Sequence, residues 1–165
     1  MLTALALPVL IASTGMATAA PEVTDATVCN LITGQQIAAV TKGGVQSATA
    51  ITFITAQARD VTCTYKSAKS TLDDVQLVIS IPKSASIRAE DIFASQKERA
   101  VTQGNIYKRP PHELAGIGDT AFWDQSFHNF VVLLRDRNLV IRLNARDQAG
   151  AQTLAEAVSS RLNAP

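Results

Sequence analysis

Alternation of apolar and polar residues with the two-residue period of a β-strand is the feature that most limits what this chain can fold into. Residues 61–65 and 75–81 both show it, and Cys63 lies on the apolar face of the first stretch. This period places one face of each strand against a core. The polar loop 67–74 between the two stretches predicts that they pair as an antiparallel hairpin.

A second hairpin is predicted near the C-terminal end. Residues 129–135 and 139–144 are rich in Val, Leu and Ile, and residues 136–138 supply the turn between them. Weaker strand patterns lie at 51–56 and 121–124. The strands therefore pair mainly with their neighbours in sequence, which indicates a mostly antiparallel sheet.

Helical periodicity is present in three segments: residues 28–40, residues 87–103, and the segment that follows the expected N-cap Asp147. The resulting order, α-β-β-β-α-β-β-β-α, predicts an α+β fold in which helices pack on a mostly antiparallel sheet. Because no linker or repeat divides the chain, we expect residues 28–165 to form a single α+β domain.

The first 20 residues carry no charge and include an apolar run, residues 5–12, that is too short to span a bilayer. Ala17-Thr18-Ala19 then matches the small-residue pattern of a signal-peptidase site. We therefore predict a signal peptide over residues 1–19, a flexible segment over 20–27, and export to the periplasm or the medium, with no membrane span after cleavage. A buried apolar N-terminal segment is the alternative.

The two cysteines, Cys29 and Cys63, fit an oxidising compartment. Only one pairing exists, and it would close a loop of about 35 residues, worth about 3–4 kcal/mol in the chain-entropy description. Neither cysteine lies in a C-x-x-C motif or beside histidines at zinc spacing, so redox and zinc roles are not indicated. Two buried free thiols are the alternative.

Charge is nearly balanced, with 15 Lys and Arg against 14 Asp and Glu. Nucleic-acid-binding domains usually carry a clear basic excess, so nucleic acid is not an expected partner. The chain has no phosphate-binding loop and no G-x-S-x-G motif, and we predict no cofactor, no metal and no catalytic residue. We expect a monomer.

Two motif fragments match known signatures in form only. Residues 116–121 fit G-x-G-x-x-A, but a strand pattern rather than a helix follows them, so we interpret them as a tight turn that Asp119 orders. His112-Glu113 begins like H-E-x-x-H, but the second histidine is missing. Asp73-Asp74 is interpreted as solvated.

Arginine side chains supply the one charge cluster that predicts a ligand site. Arg142 alternates with apolar neighbours and so faces away from their side of the sheet, and Arg135 and Arg137 lie near the same hairpin. Such a patch suits an anionic ligand. A solvated sheet face is the alternative. Trp123, beside the glycine turn, is a further candidate ligand contact, with a core or rim anchor as the other interpretation.

Several pieces together resemble a known group of proteins: Cys29 leading into a short helix, Cys63 in an early strand, and the segment 116–123 followed by a hairpin and a C-terminal helix. They resemble the exported bacterial domains of unknown function related to DUF3558-type lipoproteins and PknH-like extracellular sensor domains, over about residues 28–162. The resemblance implies an α+β sandwich, with a PsbP-like sandwich as one form, stapled by the cysteine pair. It also implies an extracytoplasmic sensing or binding role and supplies no catalytic residues.

We therefore expect a secreted or periplasmic, sensor-like domain that binds a small ligand or an envelope protein and has no enzymatic activity. One alternative is an envelope hydrolase that uses His112 or His128, the two histidines of the chain. A second alternative is a protein-interaction or inhibitor module that acts through the loop 108–114.

Overall fold

One antiparallel sheet of seven strands organises the computed structural model, which describes residues 22–41 and 43–164. The strands are β1 (Val45–Ile54), β2 (Ala58–Ser67), β3 (Val75–Pro82), β4 (His112–Leu114), β5 (Thr120–Asp124), β6 (Asn129–Leu134) and β7 (Leu139–Asn144). Their order across the sheet is β1-β2-β3-β7-β6-β5-β4. The predicted α+β class with a mostly antiparallel sheet is confirmed. The predicted signal peptide lies outside the described residues.

Helices cover both faces of the sheet. They are α1 (Asp25–Val28), α2 (Gly34–Thr41), α3 (Ala89–Tyr107) and α4 (Gln148–Asn163), with short 3-10 turns at Cys29–Leu31 and Thr71–Asp73. The larger core cluster joins one sheet face to α1, α2 and α4, whereas the smaller one joins the other face to α3. Within the described residues, no helix is long and apolar enough to cross a membrane.

The larger core follows the alternation in the sequence. Cys63, Leu77, Ile79 and Ile141 are fully buried on the face that α4 covers. Leu154 of α4 is also fully buried against this face, and the predicted N-cap is confirmed by the 2.8 Å hydrogen bond that the Gly150 amide donates to Asp147.

Helix α3 is the crossover from β3, in the middle of the sheet, to β4 at its edge. Its N-terminal half packs through Ile92 and Phe93, and the Phe93 ring meets Phe122 edge-on with centroids 5.3 Å apart. Asn138, in the predicted turn between β6 and β7, accepts a 3.0 Å hydrogen bond from the Ala89 amide. These contacts fix the start of α3 over β5, β6 and β7.

Two strand predictions differ from the structure. The two prolines predict a rigid turn over residues 109–112, but His112 belongs to an unpredicted edge strand, β4, because the backbone of residues 112–114 pairs with β5. The predicted strand at 51–56 is part of a longer strand, β1, that begins at Val45 and pairs with β2 along its length. Both errors have one cause, since backbone pairing does not require an apolar pattern on exposed edge strands.

The first helical segment also differs from its prediction. Instead of one helix over residues 28–40, a 3-10 turn is followed by α2, which begins where Thr33 and Gln36 form a reciprocal capping box. Packing into the core also starts earlier than predicted. Val23 is buried and α1 begins at Asp25, both within the segment 20–27 that was expected to be flexible.

The predicted Cys29–Cys63 disulfide is present and joins the N-terminal helical segment to the middle of β2. The buried side chain of Tyr65 reinforces this corner, because its hydroxyl donates a 3.0 Å hydrogen bond to the carbonyl oxygen of Cys29. The small N-terminal elements are thus held on the sheet by a covalent bond and by a buried polar contact.

We expect reduction of the disulfide to lower the free energy of unfolding by about 3–4 kcal/mol, because the bond closes a loop of 34 residues' separation. Urea denaturation with and without reductant measures this difference. The Cys29→Ala/Cys63→Ala variant is the control, and its stability should not respond to reductant. Equal stability of the oxidised and reduced wild-type protein would contradict the prediction.

Burial raises the pKa of Tyr65 to about 12 from its ordinary value of 10.0. Between these pH values the unfolded chain loses the phenolic proton while the folded protein keeps it, so stability falls as the pH rises from about 10 to about 12. We expect Tyr65→Phe to weaken this fall, measured by urea denaturation across that range. Tyr107→Phe, at an exposed position, is the matched control and should behave like the wild type.

Candidate functional site

A groove lies between α3 and the sheet, on the face opposite α4. It contains a cavity of about 510 Å³ and an adjoining cavity of about 320 Å³. Gln96 and Arg99 of α3 and Arg142 of β7 line both cavities, which are therefore adjacent. We call this feature the α3 groove. Cavities of this size are typical of small-molecule sites.

The groove stays open because the two surfaces that meet there are polar. The first half of α3 presents large apolar residues to the sheet, but its second half buries only Ala100 and Gly104. The sheet opposite it carries polar side chains, among them Gln76, Asn129 and Asn144. Tight packing would remove these polar groups from water, which is unfavourable unless every donor and acceptor is paired.

Arg142 faces the groove because its neighbours in β7, Ile141 and Leu143, are fully buried on the other face. Its side chain is partly buried, and among the described residues neither Arg142 nor Arg99 lies within 4.0 Å of a carboxylate. Desolvation lowers the pKa of the Arg142 guanidinium, the carboxylate of Asp60 opposes this effect, and the positive charge of Arg99 lowers the pKa further. The two arginines thus supply two cationic donors to the groove, near the carboxylate of Asp60.

Hydrogen-bond acceptors line the smaller cavity. Asp60 of β2 and Gln96 of α3 border it together with Ser80 and Ser95. Asp60 Oδ1 and Gln96 Oε1 are buried and have no hydrogen-bond partner. An unpartnered buried acceptor costs about 1–3 kcal/mol, so both atoms are suited to a donor that enters the groove.

Apolar side chains form one wall of the larger cavity. Phe122 and Val131 of the sheet are buried there beside Ala100, and Phe127 is half exposed at the rim. The α3 groove therefore offers cationic donors, buried acceptors and an apolar surface within one space. A molecule that combines polar head groups with an apolar part matches this lining.

The other predicted ligand contacts lie elsewhere. Arg135 is at the end of β6, where its side chain approaches Glu90 and Asp119, each at 3.5 Å. Arg137 is exposed in the turn between β6 and β7. Trp123 is buried in the larger core, on the opposite face from Arg142. The predicted patch of three arginines is therefore not one site. Of Arg135, Arg137 and Arg142, only Arg142 lines the α3 groove.

Both histidines line a different cavity, of about 320 Å³. His112 on β4 and His128, in the turn before β6, border it together with Trp123, and the Trp123 and His128 ring centroids are 6.0 Å apart. No Ser, Thr or Cys is among its lining residues. In the part of the chain that the structure describes, no cluster of three metal-ligating side chains occurs.

The glycine turn at residues 116–121 and the side chain of Asp73 have structural roles. Gly118 has φ +57°, and a Cβ there would lie 2.5 Å from Val132 and 2.6 Å from the Leu133 carbonyl oxygen, so only glycine fits. Asp119 accepts a 2.7 Å hydrogen bond from the Arg135 amide, which links the turn to β6 rather than ordering it internally as predicted. Asp73, predicted as solvated, is buried and binds Arg146 at 2.9 Å.

Sequence reasoning missed Asp60, Gln96 and Arg99. Gln96 lies four residues from both Ile92 and Ala100, on the inward side of α3, and its polarity was not used as a signal. Asp60 and Arg142 become neighbours only through the pairing of β2, β3 and β7. Besides Arg142, a polar residue on the inward side of a helix was the sign in the sequence that pointed to this groove.

Comparisons of the chain with protein-family profiles, with curated proteins and with solved structures found no match. The functional argument therefore depends on the groove itself.

Proposed function

We propose that this protein is an exported, sensor-like binding domain that holds a small molecule in the α3 groove through an acidic group on the ligand. The observation that carries this proposal is the Arg99–Arg142 pair, which lines a shared cavity without a carboxylate in ion-pairing range among the described residues. The ligand would be bound and released unchanged, and its partners would be this small molecule rather than nucleic acid.

A carboxylate or phosphate suits these arginines on energetic grounds. A partly buried guanidinium has lost part of its hydration, the carboxylate of Asp60 offsets this loss only in part, and Arg99 adds a like charge. An anion placed between the two relieves both effects through charge-assisted hydrogen bonds, which are stronger than neutral ones. The planar guanidinium also recognises a carboxylate with two parallel bonds, which gives geometric selectivity.

The proposed location outside the cytoplasm is supported by two independent features. The uncharged N-terminal segment ends in the Ala17-Thr18-Ala19 pattern. The disulfide joins the only two cysteines of the chain, and such bonds persist mainly in oxidising compartments. A periplasmic or secreted binding domain accounts for both.

We expect Arg142→Met to weaken binding of an acidic probe at least tenfold, because the variant keeps the apolar stem and loses the charge. 3-Phenylpropanoate suits the test, since it pairs a carboxylate with a ring that matches the Phe122 wall. Isothermal titration calorimetry gives the affinity, with inorganic phosphate as a second probe. Arg137→Met is the matched control and should bind like the wild type. Equal affinity of Arg142→Met and the wild type would contradict the proposal.

Hydrolysis in the histidine cavity is a second candidate function, favoured by the convergence of His112 and His128 beside Trp123. It predicts turnover of ester, peptide or glycan substrates that both His112→Ala and His128→Ala reduce at least tenfold. Chromatography of these substrates after incubation with the protein measures turnover. Activity that survives both substitutions would exclude this cavity as the catalytic site.

A further inference from the structure

Charges in the α3 groove are balanced in number but not paired with one another. Arg99 and Arg142 supply two positive charges, while Asp60 and Asp124 supply two negative ones. Asp124 is buried and already accepts a 2.9 Å hydrogen bond from the Ser126 amide. Asp60 differs, because its buried Oδ1 has no partner and, among the described residues, no cationic side chain lies within 4.0 Å of it.

A simple anion would leave half of this arrangement unused. It would satisfy Arg99 and Arg142, but Asp60 Oδ1 and Gln96 Oε1 would remain buried without donors. It would also bring its negative charge toward the carboxylate of Asp60, which borders the same small cavity as both arginines. A ligand with a cationic donor beside its acidic group avoids both penalties.

We infer that the ligand of the α3 groove is a zwitterion, a free α-amino acid with an apolar side chain. Its carboxylate would bind Arg142 and Arg99, and its ammonium group would donate to Asp60 Oδ1 and Gln96 Oε1. Its side chain would extend into the larger cavity against Phe122 and Val131. This inference rests on the proposed function and names the chemical class of the ligand.

Asp60 and Arg142 lie two strands apart on the sheet face under α3. They are on β2 and β7 with β3 between them, and the register offsets them by two residues along the strands, so their backbones are about 12 Å apart. Both side chains face α3, since the alternate residues Val61 and Ile141 are fully buried on the other face. Both residues border the smaller cavity.

Calorimetric titration of the full chain with three ligands of one shape tests the inference. L-Phenylalanine has both head groups, 3-phenylpropanoate lacks the ammonium group, and phenethylamine lacks the carboxylate. We expect L-phenylalanine to bind at least tenfold more tightly than either partial ligand, because each lost charge-assisted hydrogen bond weakens binding by about this factor. L-Leucine and L-valine extend the series to aliphatic side chains.

Substitution of Asp60 separates the inference from the proposed function. Asp60→Asn should reduce the affinity for L-phenylalanine at least tenfold and leave that for 3-phenylpropanoate unchanged or stronger. Asp136→Asn, at an exposed turn position, is the control and should change neither. If 3-phenylpropanoate binds as tightly as L-phenylalanine and Arg142→Met abolishes both, the zwitterion is wrong while the acid-binding function stands. If no amino acid of the series binds at millimolar concentration, the inference is also wrong.

Discussion

Burial of both faces of the central strands is the constraint on which the rest of the structure depends. Strand β3 lies in the middle of the sheet and β4 at its edge, four positions and about 19 Å away. The chain covers this distance with α3, whose 19 residues extend over about 28 Å. The helix therefore has to cross the sheet face that α4 leaves uncovered. Apolar side chains on that face pack against α3 as core, and polar side chains leave a groove beneath the helix.

The sheet face under α3 is apolar in one part and polar in the other, and this difference creates the α3 groove. Phe122, Leu133 and Val140 meet the first half of the helix and form the smaller core. Arg142, beyond them on β7, lines the groove together with Gln96 and Arg99 from the middle of the helix. Water or a ligand has to fill this space, because polar groups that close on one another without matching partners destabilise a fold. The groove is thus a direct consequence of where the apolar residues end.

Prediction from the sequence succeeded where a local pattern carries the physical cause. Alternation identified the inward faces of β2, β3 and β7, and it correctly placed Arg142 on the face opposite Leu143. It failed where backbone pairing acts without an apolar pattern, as at β4 and the first half of β1. The prediction that three arginines form one patch also failed, because residues near the same hairpin need not share a face of the sheet. Arg135 contacts Glu90 and Asp119 instead. Arg137 is exposed in the turn between β6 and β7.

The sequence by itself determined the α+β class, the Cys29–Cys63 pair and the direction of Arg142, because each follows from residue type and a short period. Only the tertiary structure decided which polar residues share the groove. Asp60 is 82 positions from Arg142 in sequence, and Arg99 is on a helix whose position over the sheet depends on the crossover to β4. Their meeting results from strand order and helix placement, which are set by packing of the whole domain and leave no local mark in the chain.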